Sequence, residues 1–152
     1  MMERAAERLK HWLRTVPEQF GRMSEAEVSE RPMPGKWCPK EALGHLCDSA
    51  VNNLPRFIKM QYEKQPYILI PYDQDQWVTL QDYQEAPAEE ILNLWSGLNN
   101  RILKAIEKIP AEKLSYPCVT VHQETKSLQW LIDDYVEHME YHLKRQILKN
   151  NV

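Results

Sequence analysis

The chain has 152 residues, enough for one domain and too few for two of ordinary size. Its net charge of −3 argues against the basic surface that a nucleic-acid-binding protein presents to phosphates. Only 4 glycines accompany 43% hydrophobic residues, which favours helices over a sandwich or barrel built from tight hairpins. Apolar runs are short, so no membrane-spanning segment is expected.

The cysteines and the first residues predict a cytoplasmic protein. Three cysteines cannot all pair, and their spacing fits no zinc motif, so we expect free thiols in a reducing compartment. The opening residues alternate charges and lack the apolar stretch of a secretory signal.

Apolar residues recur at steps of three and four in four stretches, which predicts four amphipathic helices. Pro17 is a defect in the first of them, and Pro55 is a possible bend in the second. Pro39 suits the first position of the second helix, and Glu41 suits the third, where its carboxylate can reach back to the cap. Ser127 is the predicted cap of the last helix. The predicted helices cover residues 3–20, 39–64, 87–109 and 128–147.

Two connections separate the later helices. Residues 65–86 break the helical pattern with prolines and aromatic residues, and connections of this length in compact domains are often functional. Residues 110–126 form a second connection, which has room for a short hairpin, although the sequence does not favour one. Four long helices with one long crossover between the second and third predict an all-α four-helix bundle, and residues 1–152 are expected to form a single domain.

Two histidines on the last helix have the spacing of metal ligands. His138 and His142 lie at i and i+4, so both imidazoles project from one face and can share a metal ion. Asp134, one turn earlier, is placed to accept the free N–H of His138. Taken alone, such a pair is more commonly a boundary pair without a ligand.

His45 on the second helix is the candidate for a third ligand. It lies on a polar stripe with Glu41, Asp48, Asn52 and Arg56, opposite the apolar face of its helix. On this periodicity alone a solvated face is the favoured interpretation, and a ligand role requires that the stripe face a cleft between helices. His11 and His122 have no partners at useful spacing and are predicted to be surface residues.

Three segments resemble the DinB superfamily, and one of them resembles its YfiT-like branch, which includes the bacillithiol transferases. They are GKWCPKEALGHLCDS at residues 35–49, PYDQDQW at 71–77 and DYVEHMEYHL at 134–143. The resemblance implies a four-helix bundle with a metal site formed by His45, His138 and His142, and it reverses the preference for a solvated His45. Three histidines leave positions open for water or substrate, and zinc and nickel both suit imidazole ligands. Glu41 and Asp134 are then expected to support the ligands, and a homodimer is expected from the same resemblance.

The function that the resemblance implies is thiol S-transfer. A low-molecular-weight thiol, held as a thiolate by the metal ion, would attack an electrophilic substrate. Arg56 is a candidate to hold a carboxylate of the cosubstrate and Asn52 to hydrogen-bond it. Tyr72 and Trp77 are candidates to cover the site and exclude water.

Two alternatives stay open at the level of sequence. One is hydrolysis by a metal-bound hydroxide, with Asp48 or Asp75 as the base. The other is a metal-binding or stress-associated dimeric bundle without catalytic activity.

Overall fold

Four long helices form the body of the molecule in the computed structural model, which describes residues 2–149. Helices α1 and α3 each pack against both α5 and α6. The all-α four-helix bundle is therefore confirmed, and its long crossover joins α3 to α5. The long helices are α1 (Met2–Gly21), α3 (Pro39–Lys59), α5 (Ala88–Glu107) and α6 (Leu128–His142), and two shorter ones are α2 (Glu25–Ser29) and α4 (Gln74–Gln81).

The prolines inside α1 and α3 do not end these helices. α1 continues through Pro17 to Gly21, held by its buried apolar face, in which Val16 is fully buried. α3 includes Pro55 but ends at Lys59, five residues before the predicted end. Its last turn is closed by the side-chain amide of Gln61, which donates to the Phe57 carbonyl at 3.0 Å, and the chain then turns away.

The predicted helix starts are present, with one difference in detail. The Cys38 N–H donates to the Glu41 carboxylate at 3.1 Å, and the Trp130 N–H donates to Ser127 Oγ at 3.1 Å. The difference is that the Cys38 thiol also donates to the side-chain oxygen of Gln84 at 3.0 Å. The first turn of α3 is thus tied to the crossover connection.

The crossover is more ordered than its sequence indicates. It contains a two-residue strand β1 (Tyr67–Ile68), the helix α4, and a 3₁₀ turn at Tyr83–Glu85, and both α4 and the turn pack against α3. α4 was not predicted because it is short and buries a single apolar side chain, Val78. Its local signal is Asp73, whose carboxylate accepts from the Gln76 N–H at 3.0 Å.

The second connection contains a short hairpin, which the sequence does not favour. Strands β2 (Pro117–Val119) and β3 (Thr125–Ser127) pair antiparallel, and β1 adds to β2 in parallel, with Tyr67 opposite Cys118. This small sheet joins the two connections at one side of the bundle, directly before α6. Strands this short carry no readable periodicity, so their pairing is a tertiary effect.

The core lies between the four long helices. Its largest fully buried side chains include Trp95, Phe57, Leu9, Leu43 and Ile132. The three cysteines are free and buried, and burial raises the pKa of each thiol, consistent with small core residues. Within residues 2–149 no helix is both long and apolar enough to cross a bilayer.

Candidate metal centre

Three imidazoles from two helices converge at one point. The Nε2 atom of His138 lies 3.2 Å from Nε2 of His45 on α3 and 3.2 Å from Nε2 of His142 on α6. One possible ligand nitrogen from each ring lies within 4.8 Å of those from the other two. Nitrogen ligands of a tetrahedral zinc ion are about 3.4 Å apart, given zinc–nitrogen bonds of roughly 2.0–2.1 Å. The geometry of this cluster therefore fits a single small divalent cation.

The surroundings keep these histidines in the form that binds metals. Burial, together with the two neighbouring imidazoles, lowers the pKa of His45 to about 3. Burial and the charge of His142 lower the pKa of His138 to about 4, and burial also lowers the pKa of His142. Neutral imidazoles with free lone pairs at neutral pH are the required ligand state.

Trp37, which precedes α3, closes one side of the cluster. Its ring lies 4.8 Å from the His45 ring, centroid to centroid, and 6.3 Å from that of His142. Together with the crossover packed on α3, it covers the polar stripe, so His45 is 0% exposed. The periodicity of α3 places His45 in solvent, because it contains no information on Trp37 or on the crossover that covers this face of the helix.

The two residues expected to support the ligands are not hydrogen-bonded to them. The Glu41 carboxylate binds the Arg31 guanidinium at 3.0 and 2.9 Å as well as the Cys38 N–H, and it makes no bond to His45. Asp134 is exposed and makes no hydrogen bond to His138 in the described structure. Gln146, which sequence reasoning missed, does contact a ligand candidate, since its Oε1 lies 2.7 Å from Nδ1 of His142.

An open cavity of about 480 Å³ extends from His138. Its wall combines polar groups of α3 with the aromatic side chains of the connections and of α6, so it has the mixed lining of a small-molecule site. Residues that line it include Asn53, Arg56, Tyr72, His122, Trp130, Asp134 and His138.

Arg56 is the cation of this cavity. Its guanidinium donates to the Ile70 carbonyl and, at 3.4 Å, to Asn53 Oδ1, and among the described residues no carboxylate pairs with it. Burial leaves the guanidinium of Arg56 incompletely solvated, which lowers its pKa. A guanidinium in this state favours an anionic ligand.

The other predicted site residues divide between the cavity and its surroundings. Tyr72 lines the cavity, and Trp77 packs edge-on against Tyr72 at 5.7 Å without lining it. Asn52 does not line it either, because its amide donates to the Asp48 carbonyl at 2.8 Å; the adjacent Asn53 takes that place. His122, predicted as a surface residue, is exposed at the edge of the cavity.

Neither aspartate considered as a hydrolytic base faces this cavity. Asp48 is 2% exposed, and its Oδ1 accepts from the Tyr83 hydroxyl and from Gln81 Nε2, both at 2.7 Å. Burial raises its pKa. Asp75 lines a different cleft, next to Trp37. The carboxylate of Asp48 therefore binds the crossover to α3 from a buried position.

Comparison with known proteins decides the family. The family model described as the DinB superfamily matches residues 1–145. The chain belongs to the DinB superfamily. A Bacillus pumilus protein provisionally named a metal-dependent hydrolase is 28% identical over 155 residues, covering 95% of this chain and 87% of the relative.

Two solved structures have the same fold as this chain. YfiT from Bacillus subtilis, described as a probable metal-dependent hydrolase with an unusual four-helix bundle topology, superposes with a TM-score of 0.84 at 20% identity. That match covers 95% of this chain and 83% of YfiT. The mycothiol-dependent maleylpyruvate isomerase superposes with a TM-score of 0.75 at 13% identity, and the match covers 96% of this chain but 60% of the isomerase.

Proposed function

We propose that this DinB superfamily protein is a metal-dependent thiol S-transferase that joins a low-molecular-weight thiol to an electrophile. The observation that carries the proposal is the convergence of three Nε2 atoms, with neighbouring pairs 3.2 Å apart, next to an open cavity. The names of its neighbours agree with two parts of the proposal: the Bacillus relatives are named for metal dependence, and the isomerase is named for dependence on a thiol.

The proposed ligands are His45, His138 and His142, and the proposed metal is zinc or nickel. The donor set fits, because three neutral imidazoles face one point from a rigid pair of packed helices. Bound there, a divalent cation supplies a Lewis acid that lowers the pKa of a coordinated thiol or water. The protein contributes the positions of the three rings and, through Trp37 and the crossover, a site closed to water on one side.

The cavity beside His138 is the proposed substrate site. Arg56, free of any carboxylate partner in residues 2–149, would bind a carboxylate of the thiol cosubstrate, and Asn53 holds the guanidinium in place. Tyr72 would cover the bound substrate, with Trp77 supporting its ring from outside.

Hydrolysis is the second candidate, and the lining of the cavity favours it. Asp134 lines the same cavity as His138 and, being exposed, is free to act as a base toward water there. Asp48 is buried and Asp75 lines a different cleft, so neither lines the cavity beside His138. The two reactions differ in whether turnover needs a thiol.

The thiol requirement tests the proposal directly. We expect tag-free protein loaded with zinc or nickel to consume the electrophile monochlorobimane only when a thiol is present, because the thiolate is the nucleophile. The measurement is bimane fluorescence with and without thiol. The matched control is the His138→Ala protein, for which we expect the uncatalysed rate. Thiol-independent turnover of ester or amide substrates, with no gain in conjugation, would instead support the hydrolase.

The role of Arg56 gives a prediction for substrate choice. Replacing Arg56 with methionine should raise KM for mercaptoacetate by about 10–100-fold, since a hydrogen bond between charged groups contributes roughly 1.5–3 kcal/mol. KM for mercaptoethanol, which has no carboxylate, should stay unchanged. Arg101→Met, on the exposed side of α5, is the control. Equal effects on both thiols would rule out a carboxylate site at Arg56.

A further inference from the structure

The end of α6 departs from regular helical geometry directly after the last histidine of the cluster. α6 ends at His142, and Leu143–Ile147 form a π-helical turn in which the Leu148 N–H donates to the Leu143 carbonyl at 2.8 Å. A π-turn fits one extra residue into the helix and is disfavoured unless something retains it, and such turns are frequent at functional sites. This turn carries Gln146.

The side chain of Gln146 contacts the ring of His142 at Nδ1. Its side-chain oxygen Oε1 lies 2.7 Å from Nδ1 of His142. With the amide oxygen facing the ring, Gln146 accepts, so the contact is a hydrogen bond when Nδ1 carries the proton and Nε2 keeps a free lone pair. That Nε2 is the atom 3.2 Å from Nε2 of His138.

The other two histidines lack such a partner. Nδ1 of His45 is buried without a hydrogen bond, and no hydrogen bond is made by Nδ1 of His138 in residues 2–149. His142 is therefore the member of the cluster whose tautomer is set in advance by the protein. Outer hydrogen bonds of this kind orient a metal-binding imidazole and raise its basicity.

We propose that Gln146 is a positioning residue: held by the π-turn, it fixes the Nδ1–H tautomer of His142 and so prepares Nε2 to bind the metal. The inference rests on the proposed metal site for its purpose, but the tautomer itself is a property of the metal-free protein. It assigns a reason for the irregular end of α6, which the bundle fold alone does not require.

Long-range ¹H–¹⁵N NMR spectra of the metal-free protein at neutral pH test the tautomer. We expect the Nδ1–H form of His142 in the wild type and in Gln146→Glu, whose carboxylate also accepts. In Gln146→Leu the Nε2–H form should appear, because no acceptor holds the proton on Nδ1. A wild-type His142 in the Nε2–H form, or a tautomer that does not change in Gln146→Leu, overturns the inference.

Metal affinity, measured by competition with a chromogenic chelator, provides the second readout. Gln146→Leu should bind zinc about 10–100-fold more weakly, the usual cost of losing an outer partner of a ligand, and Gln146→Glu should restore the affinity. Gln129→Leu, near the start of α6, is the control for a general effect of leucine. Equal weakening in Gln146→Glu and Gln146→Leu contradicts the inference. If no variant and no wild type binds metal but the tautomer changes as expected, the proposed function fails and the role of Gln146 in positioning His142 stands.

Discussion

Replacing His138 with alanine is expected to weaken zinc or nickel binding by more than about 100-fold, beyond the roughly 10–100-fold cost of losing an outer partner. His138 is the central member of the cluster, because its Nε2 is 3.2 Å from both other Nε2 atoms. Its loss leaves two ligands on different helices. The affinity should be measured on tag-free protein by chelator competition.

Thermal unfolding gives an independent view of the same change. A ligand present at about 100 times its Kd stabilises the folded state by roughly 2.7 kcal/mol, so added zinc should raise the Tm of the wild type and leave that of His138→Ala unchanged. His11→Ala, on α1, is the matched control and should behave like the wild type. An unchanged affinity in His138→Ala would show that the cluster is not the metal site.

Replacing Gly44 with alanine is expected to destabilise the protein, although alanine is the better helix former. A Cβ at Gly44 would lie 2.5 Å from both Cγ and Cε2 of Tyr83, a 5% exposed residue of the crossover. Tyr83 cannot move aside without losing its 2.7 Å hydrogen bond to the buried Asp48. Overpacking of this kind costs about 1–3 kcal/mol, which chemical denaturation would measure.

Gly97→Ala is the matched control for this substitution, and it should raise the free energy of unfolding where Gly44→Ala lowers it. Gly97 also lies inside a long helix, α5, but no atom is within 4 Å of the position that its Cβ would take. Without a clash, alanine should stabilise the helix by about 0.5–1 kcal/mol. Equal effects of the two substitutions would show that the contact between Tyr83 and Gly44 does not limit the packing of α3.

The long helices were readable from the sequence because each buries one continuous apolar face, as in α5, where Ile91, Trp95 and Ile102 are buried. The spacing of the histidine pair on α6 places both rings on one face of the helix, but it does not by itself predict that they bind a metal. His45 is a candidate third ligand, but periodicity places it in solvent, because its burial depends on Trp37 and on the crossover that packs against α3. The family resemblance is what favours His45 as a ligand.

What the sequence could not show depends on tertiary contacts. The sheet pairs Tyr67 with Cys118 through strands too short to carry a pattern. The polar stripe on α3 has the pattern of a solvent-facing surface. Asp48 is buried nevertheless, because Tyr83 and Gln81 of the crossover pack against it and donate hydrogen bonds to its carboxylate. Likewise, nothing in the spacing of His142 and Gln146 distinguishes the π-turn from a regular helix. Homodimer formation stays a prediction.

In the proposed reaction, a thiol binds the metal ion held by His45, His138 and His142. The most direct test is near-ultraviolet absorption of the cobalt(II)-loaded protein during titration with mercaptoacetate, since a thiolate bound to cobalt gives a charge-transfer band. We expect a band that saturates at one thiol per chain and is absent from His138→Ala. Cobalt that binds to the wild type without any such band at saturating thiol would contradict the claim.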